Sequence, residues 1–286
     1  MSEALAAARS NLAGLPDADP ALDAEVLLAH VLGRDRSWLY AWGERRLEPM
    51  HQVRFDELVR QRARGVPIAH LTGTREFWSL PLAVTPDTLI PRPDTELLVE
   101  WALQCVPVGA GARVLDLGTG SGAVALALAS ELPRAEVIAS DRSLAALRVA
   151  ASNARRLGLP QVGLLCGDWL APLDARPSFD LIVSNPPYVA AADPHLGRGD
   201  VAHEPRAALA AGPTGLDALR TIIAGALTRL QPGGFLLLEH GAAQAAAVRA
   251  LLRAAGYTAV ATRRDLAGRE RASGGRRPEN LDAYRA

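Results

Sequence analysis

Lysine is absent from this sequence, so all 31 of its strongly basic side chains are arginine. Without a side-chain amine the protein cannot form a Schiff base with a carbonyl substrate, which excludes that class of covalent catalysis. The arginines are balanced by 31 acidic side chains, so the formal net charge is zero. This balance argues against the broad basic face that nucleic-acid binding requires, and it leaves room only for a local basic patch.

Cysteine and histidine are also scarce. The two cysteines, Cys105 and Cys166, show no C-x-x-C spacing, which argues against a disulfide framework or a zinc site. Cys166 follows an apolar run, and we expect it to be a small core residue. The six histidines are scattered without a metal-ligand spacing, so we predict no metal site.

Long apolar runs are missing as well. No stretch of 18 apolar residues occurs, and the first residues do not form a charged-then-apolar signal segment. From the sequence we therefore expect a reduced, cytoplasmic, soluble protein with no membrane partner.

The first part of the chain has the pattern of a small helical bundle. Within residues 1–65, apolar residues recur at helical spacing in three segments, which end near glycines: 21–32, 38–42 and 50–64. Such a bundle could simply pack, or it could dock a macromolecular partner, and we favour docking. In residues 66–90 the β-forming residues alternate, which predicts a hairpin linking two domains.

From Arg113 onward, strand and helix patterns alternate, which predicts a doubly wound parallel sheet with right-handed crossovers. The predicted strands and helices are 113–117, 123–132, 137–140, 144–157, 162–166, 181–184, 216–230, 235–239, 242–255 and 258–261. A polar insertion at 190–212 interrupts this rhythm, and we expect it to cover the site. The chain from Ser273 is rich in glycine, arginine and proline, and we expect it to be mobile.

One strand has an unusual end. The apolar run 181–183 is typical of a buried parallel strand, and it stops at Pro186 and Pro187, which cannot donate to a sheet. Pro186 also forces Asn185 into an extended conformation, so its carboxamide is held at the ligand-binding edge of the sheet beside the ring of Tyr188. Neutral acceptors beside an aromatic ring suit the binding of an NH2 group on a planar substrate. The alternative is a plain strand-to-loop turn.

A second motif follows an earlier strand. Residues 118–122 read G-x-G-x-G and open a helix, a spacing that fits neither the dinucleotide fingerprint nor the P-loop. Asp141 ends the next strand, where an acid binds ribose hydroxyls, and Trp169 follows the third strand, where it could cover an adenine. Each piece alone could be a tight turn, a helix cap or a core aromatic. Together they indicate a nucleoside with a small zwitterionic tail, namely S-adenosylmethionine.

The glycine loop and the sequence Asn185-Pro186-Pro187-Tyr188 resemble those of class I methyltransferases that act on planar nitrogen. More narrowly, the chain resembles the HemK/PrmC family, the release factor glutamine methyltransferases. The resemblance runs from about residue 22 to 271, and its most specific part is the Ile-Pro-Arg-Pro stretch at 90–93 together with the helical N-terminal segment. Three positions, His70, Asp94 and His240, depart from the residues usual in the family.

The resemblance implies a seven-stranded Rossmann-like α/β methyltransferase fold, doubly wound, with four segments. These are a helical substrate-docking domain at 1–65, a β-hairpin linker at 66–90, the S-adenosylmethionine-dependent methyltransferase domain at 91–273 and a mobile tail at 274–286.

The resemblance also implies the roles of individual residues. The cofactor S-adenosyl-L-methionine would be held at its methionine part by the loop Gly118, Thr119, Gly120, Ser121 and Gly122. Asp141 would bind the ribose, and Trp169 would flank the adenine, with Asp168 near the exocyclic amine. Asn185, which also borders the cofactor, and the Pro186 carbonyl would hold the substrate amide nitrogen. Pro187 and Tyr188 would complete the substrate site, with Tyr188 packed on the carboxamide plane.

The activity implied is methyl transfer to the side-chain amide nitrogen (N5) of the glutamine in the GGQ motif of class 1 peptide chain release factors. The partner would be the release factor, without direct binding of nucleic acid. Three alternatives stay open at this point: a ribosomal protein glutamine methyltransferase, a methyltransferase of exocyclic amines in nucleic acid, and a non-catalytic cofactor-binding regulator.

Overall fold

The computed structural model describes residues 1–15, 18–106, 109 and 111–280. The chain divides into two compact units. Unit 1 comprises residues 1–74 together with 194–204, and unit 2 comprises residues 75–193 together with the chain from 205 onward. Of the helices within the described ranges, none has the length and apolar character needed to cross a lipid bilayer.

Unit 1 is a bundle of short helices. The helices are α1 (Ser2–Leu12), α2 (Pro20–Leu32), α3 (Arg36–Ala41), α4 (Pro49–Ala63) and α5 (Ile68–Thr72). The side chain of Asp19 caps the start of α2, and Gly33 ends this helix in the left-handed conformation. Leu12, Leu27 and Phe55 meet in the core of the bundle. The three predicted helices are confirmed, whereas α1 and α5 were not predicted.

A buried ion cluster holds unit 1 together. Arg62 on α4 is only 2% exposed, and its Nε donates to Asp23 Oδ2 on α2 at 2.8 Å. Its Nη1 donates to Asp200 Oδ1 at 2.7 Å, which joins the segment 194–204 to this bundle. Burial raises the pKa of Asp23, although the hydrogen bond from Arg62 opposes the shift. Burial of each charged group in this cluster is unfavourable unless its oppositely charged partners are present.

Unit 2 begins with a two-stranded hairpin, which is followed by an α/β sandwich. Its elements are β1 (Thr74–Phe77), β2 (Leu80–Ala83), α6 (Glu96–Cys105), β3 (Arg113–Leu117), α7 (Ala123–Glu131), β4 (Glu136–Asp141), α8 (Leu144–Arg156), β5 (Gly163–Cys166), β6 (Phe179–Ser184), α9 (Arg206–Leu209), α10 (Asp217–Ala226), β7 (Leu230–Glu239), α11 (Ala245–Ala254), β8 (Thr258–Arg264) and β9 (Glu270–Arg276). The predicted hairpin therefore occupies 74–83, and the first part of the predicted linker forms α5 instead.

The main sheet has seven strands in the order β5-β4-β3-β6-β7-β9-β8. The first five strands are parallel, and β9 is antiparallel to both β7 and β8. Alternate residues of the central strands face opposite sides. Leu181 and Val183 pack in a core with α6 and α7, and Ile182 packs in a second core with α10 and α11. Helices on both faces explain why the central strands are continuously apolar.

The expectation that the chain from Ser273 onward is mobile was wrong for residues 273–276. These residues belong to β9, where Ser273 is fully buried. A Cβ on Gly274 would lie 2.6 Å from the Leu236 carbonyl oxygen, so a glycine is needed where β9 meets β7. The small residues of β9 allow its backbone to approach β7 closely, but they do not form an alternating pattern of apolar and polar residues. The strand therefore could not be recognised in the sequence. Residues 281–286 of the predicted tail lie outside the described residues.

Three further expectations need correction. Cys166 is exposed, because β5 is the edge strand of the sheet and is not covered like its neighbours. The polar insertion does not act as one segment, because residues 194–204 belong to unit 1 while 205–211 remain in unit 2. The boundary predicted at residue 65 also falls within unit 1, which continues to Thr74.

Replacement of Arg62 by methionine should strongly destabilise unit 1, because it leaves the buried carboxylate of Asp23 without its partner. We expect a loss of about 3–5 kcal/mol, the range seen when one partner of a buried ion pair is removed. Urea denaturation measures this loss. Arg60→Met removes an exposed arginine from the same helix and serves as the control. Equal effects of the two substitutions would contradict a special role for the buried cluster.

Candidate active site

The two motifs predicted from the sequence lie at the ends of neighbouring strands. In the parallel pairing of β3 with β6, Leu117 is opposite Ser184. The Ser184 hydroxyl donates to the Leu117 carbonyl at 2.6 Å and ties the two strand ends together. Gly118 and Asn185 are the next residues on each strand, and both line the same cavity. The register of two buried strands therefore brings the glycine loop beside the Asn-Pro-Pro-Tyr turn.

This cavity has a volume of about 370 Å³, which is within the range of small-molecule and cofactor sites. A smaller cavity of about 50 Å³ adjoins it and shares the lining residues Leu89, Gly118, Gly120 and Asn185. Pro91, Arg92 and Thr95 line the smaller cavity, so the Ile-Pro-Arg-Pro stretch forms part of the wall. Residues 205, 207, 208, 210 and 211 line the larger one, so the second half of the predicted insertion also contributes to the wall.

The glycine loop approaches the cavity with its bare backbone. Gly118, Gly120 and Gly122 all have positive φ angles, of 72°, 56° and 89°. A Cβ on Gly118 would lie 3.3 Å from the ring of Trp169, and a Cβ on Gly120 would project into open space. Glycine is therefore required here both for backbone conformation and for close approach of a ligand.

Thr119 and Ser121 of this loop are hydrogen-bonded to internal partners. The Thr119 hydroxyl donates to the carboxyl of Asp116 at 2.6 Å, and the Ser121 carbonyl accepts from Asn153 Nδ2 at 2.9 Å. Asn153 is fully buried on α8 and also pairs with both backbone groups of Ala83 in the hairpin. Thr119 and Ser121 thus stabilise the loop conformation.

Asp141 ends β4 at the cavity wall, as predicted. Its Oδ2 accepts from the Gly120 amide at 3.0 Å, and its Oδ1 accepts from the Ser143 amide at 2.8 Å. Asp168 and Trp169 follow β5 and also line the cavity, with Asp168 exposed and Trp169 half-buried. The Asp141 carboxylate and the Trp169 ring therefore lie on the wall of the same cavity.

Asn185 is held by a residue far away in the sequence. Its Nδ2 donates to the Thr95 hydroxyl oxygen at 3.0 Å, which leaves the carbonyl oxygen Oδ1 as the acceptor end of the side chain. Pro187 lines the cavity beside it, whereas Pro186 is buried. The Tyr188 hydroxyl donates to Glu239 Oε1 at 3.1 Å.

The backbone after this turn is braced by the segments that precede α10 and α11. Gln244 Nε2 donates to the Tyr188 carbonyl at 2.9 Å, and the Ala211 amide donates to the Val189 carbonyl at 2.9 Å. A Cβ on Gly215 would lie only 2.1 Å from the Tyr188 carbonyl oxygen, at a φ of +71°. Only glycine allows the loop to pack this closely, so the geometry of the turn is fixed from outside as well as by its prolines.

Four residues of the site were not singled out by the sequence analysis: Thr95, Asp116, Asn153 and Glu239. Each is a buried polar residue. The available signal was an isolated polar residue on an otherwise apolar face, as in the run Leu236–Leu238 before Glu239. Such a residue is common in sequences, and only its partners in the fold reveal a function.

Two of these residues are carboxylic acids with unusual ionisation. Burial raises the pKa of Asp116 to about 7, although hydrogen bonds from Thr119 and the Ala125 amide oppose the shift. Burial likewise raises the pKa of Glu239 to about 7, against hydrogen bonds from Thr95 and Tyr188. Both groups therefore change charge near neutral pH.

The free energy of unfolding should fall as the pH rises from about 4 to about 7. Over this range the folded state still holds the Asp116 proton, whereas the unfolded state has lost it, so raising the pH favours unfolding. Asp116→Asn removes the ionisable carboxyl group and should reduce the pH dependence of the free energy of unfolding, as measured by urea denaturation at several pH values. Glu239→Gln should also reduce the pH dependence of the free energy of unfolding. An unchanged pH dependence in both variants would contradict the raised pKa values of Asp116 and Glu239.

Among the described residues, no group of three or more histidine, cysteine or acidic side chains is arranged to hold a metal ion.

The chain matches two family models, the PrmC N-terminal domain over residues 3–73 and the methyltransferase small domain over residues 94–203.

Two relatives of similar sequence carry the same name. The chain is 53% identical over 257 residues to the release factor glutamine methyltransferase of Xylella fastidiosa strain Temecula1, covering 90% of this chain and 93% of that protein. It is 54% identical over 256 residues to the release factor glutamine methyltransferase of Bordetella pertussis, covering 90% and 94%.

A solved structure shares the fold. The 16S rRNA methyltransferase of T. thermophilus, solved in complex with AdoMet and guanosine, superposes with a TM-score of 0.55 at 22% identity, covering 71% of this chain and 49% of that one. The similarity to the curated relatives extends over nearly their whole length. This chain therefore belongs to the release factor glutamine methyltransferase family.

Proposed function

We propose that this protein transfers a methyl group from S-adenosylmethionine to the side-chain amide nitrogen (N5) of the glutamine in the GGQ motif of class 1 peptide chain release factors. The observation that carries the proposal is the orientation of Asn185. Its Nδ2 is engaged by Thr95, so its carbonyl oxygen is the end left for a substrate NH2 group. The names of the relatives supply the identity of the protein substrate.

The residues of the larger cavity fit S-adenosylmethionine. Gly118 and Gly120 provide an approach that a Cβ would narrow, and Asp141 offers a carboxylate to the ribose hydroxyls. Trp169 offers an aromatic face for the adenine. When bound, S-adenosylmethionine supplies an electrophilic methyl group on a sulfonium. A related fold has been solved with this cofactor, which supports the same use here.

The protein contributes mainly by positioning the substrate amide. An amide nitrogen is a weak nucleophile, because its lone pair is delocalised into the carbonyl. Asn185 Oδ1 and the Pro186 carbonyl oxygen accept hydrogen bonds from the two substrate N–H groups. The nitrogen is thereby oriented, and its positive charge is stabilised as it develops. Tyr188 packs on the carboxamide plane. Such alignment is worth roughly 7–11 kcal/mol of the barrier in well-oriented systems. The proton leaves to water after transfer.

Two features of this chain suit the proposal better than its alternatives. The formal net charge is zero, which disfavours methylation of nucleic acid. Both motifs are intact at adjoining strand ends, which disfavours a regulator without catalysis. The ribosomal protein alternative shares the chemistry and is separated only by the choice of protein substrate. A cytoplasmic location follows from a release factor substrate and stays a prediction.

Asn185→Ala should lower kcat for methylation of a purified release factor by roughly 10²–10³-fold, the range for loss of one preorganised stabilising group. The affinity for S-adenosylmethionine, measured by calorimetry, should change little. Asn11→Ala, an exposed asparagine on α1, is the matched control. Equal losses in turnover and cofactor affinity would show that Asn185 serves the cofactor. Transfer to the ribosomal protein but not to the release factor would overturn the substrate assignment.

Unit 1 has an exposed aromatic surface that suits the docking of a protein. Trp42 is 46% exposed and Tyr40 is 68% exposed, and the guanidinium of Arg45 lies 4.4 Å from the centroid of the Trp42 ring. Tryptophan, tyrosine and arginine are the residues that most often dominate binding energy at protein interfaces. We assign this surface to release factor docking.

Trp42→Ala should therefore raise KM for the release factor by about tenfold or more, because an exposed aromatic anchor is lost. kcat and the affinity for free cofactor should be unchanged, as measured by steady-state kinetics and calorimetry. Leu144→Ala removes a similarly exposed apolar residue from unit 2 and is the control. A rise in KM for the control alone, or for neither variant, would exclude this surface from docking.

A further inference from the structure

Glu239 lies behind the proposed substrate site. It is the last residue of β7, next to the end of β6, where Leu238 is opposite Ser184. It is only 2% exposed, and two hydroxyl groups approach its carboxylate. The Tyr188 hydroxyl donates to Oε1 at 3.1 Å, and the Thr95 hydroxyl forms the second hydrogen bond. This buried acid is therefore bonded to Tyr188, at one end of the Asn-Pro-Pro-Tyr turn, and to Thr95, which holds Asn185 at the other end.

The carboxylate determines the direction of the hydrogen bonds around it. An ionised carboxyl group only accepts, so the Thr95 hydroxyl must point its hydrogen at Glu239. The Thr95 oxygen can then only accept from its other neighbour, which is Asn185 Nδ2 at 3.0 Å. Asn185 must in turn direct its NH2 end toward Thr95 and leave its carbonyl oxygen for the cavity. An acceptor at Glu239 therefore sets the direction of both hydrogen bonds, from Thr95 to Glu239 and from Asn185 to Thr95.

Without an acceptor at position 239 this order would be lost. The Thr95 hydroxyl could then donate to the Asn185 carbonyl, and the Asn185 amide could turn over. The two ends of a carboxamide are nearly equal in size, so sterics alone do not prevent the flip. The cavity would then face two N–H donors where the substrate NH2 needs an acceptor.

We propose that Glu239 is a positioning residue that, through Thr95, makes Asn185 present its carbonyl oxygen to the substrate amide. The inference rests on the proposed function, because it assigns Asn185 to the substrate NH2. It also gives the site a basis for selecting glutamine over glutamate, since a carboxylate cannot donate to the Asn185 oxygen.

The arrangement works in either charge state of Glu239. Its Oε2 is buried and has no hydrogen-bond partner among the described residues, so a proton can reside there while Oε1 still accepts. The other charged groups that act on Glu239 are Arg271 and Asp94, which form an ion pair with an N–O distance of 3.4 Å. What the site requires of residue 239 is therefore an acceptor oxygen, whether or not it carries a charge.

The distinguishing pair of variants is Glu239→Leu and Glu239→Gln. Leucine fills a similar volume and has no acceptor, so kcat for the release factor should fall by roughly ten- to a hundredfold, the effect of one misdirected buried hydrogen bond. Glutamine retains an acceptor oxygen and should restore kcat close to the wild-type value. Cofactor affinity should be unchanged in both. A loss in Glu239→Gln as large as in Glu239→Leu would overturn the proposal.

Thr95 provides a second test that does not change the buried acid. Thr95→Val removes the hydroxyl at nearly constant volume and should reproduce the fall in kcat, whereas Thr95→Ser should not. Because both residues act through one chain of hydrogen bonds, the double variant Thr95→Val with Glu239→Leu should lose little more than either single variant. Additive losses would show independent roles and would contradict the relay.

Substrate selectivity and spectroscopy separate this inference from the proposed function. The ratio of binding affinities for a release factor and its GGQ-to-GGE variant should fall in Glu239→Leu and be kept in Glu239→Gln. The side-chain amide NMR signals of Asn185, assigned by their absence in Asn185→Ala, should shift in Glu239→Leu alone.

Failure of wild-type protein to methylate any release factor would overturn the proposed function, and the NMR result would still decide the orientation of Asn185. Unchanged Asn185 signals in Glu239→Leu, with a wild-type melting curve, would overturn the relay.

Discussion

The active site of this protein depends on the pairing of β3 with β6. Leu117 and Ser184 are opposite each other in the two strands, and the Ser184 hydroxyl joins them at 2.6 Å. Both strands are buried between helix layers, so a shift in register would expose apolar side chains and is strongly opposed. Because the register is fixed, the residue that follows each strand has a defined position at the edge of the sheet. The glycine loop and the Asn-Pro-Pro-Tyr turn therefore share a cavity wall.

The functional groups at this wall are oriented by polar residues behind it. Asp116 and Asn153 hold the glycine loop, while Thr95 and Glu239 hold Asn185 and Tyr188. Burial of two carboxyl groups lowers stability at neutral pH, which is the cost of fixed hydrogen-bond directions. A rigid, preorganised site suits a reaction in which a weak nucleophile must be aligned and little proton transfer is needed.

The segment that follows the Asn-Pro-Pro-Tyr turn connects the two units of the chain. Residues 194–204 belong to unit 1, where Asp200 completes the buried cluster with Arg62, while residues from 205 onward return to unit 2 and line the cavity. The chain therefore leaves unit 2 after residue 193 and returns to it at residue 205. The insertion at 190–212, which resembles one polar loop in the sequence, is therefore divided between unit 1 and unit 2.

The local features of this protein could be predicted from its amino-acid sequence. The apolar run 181–183, the Pro-Pro stop and the G-x-G-x-G loop predicted the strands and their ends, because these depend on the conformational limits of proline and glycine. Helical periodicity likewise predicted most of unit 1.

Which distant residues act together became visible only in the folded chain. The hydrogen bonds from Asn185 to Thr95 and from Tyr188 to Glu239 join residues 90 and 51 positions apart, and no local pattern encodes such contacts. The strand β9, built from small residues around Gly274, and the exposed edge position of Cys166 also depend on strand order. The sequence specifies local conformation directly, whereas partners and burial follow from long-range packing.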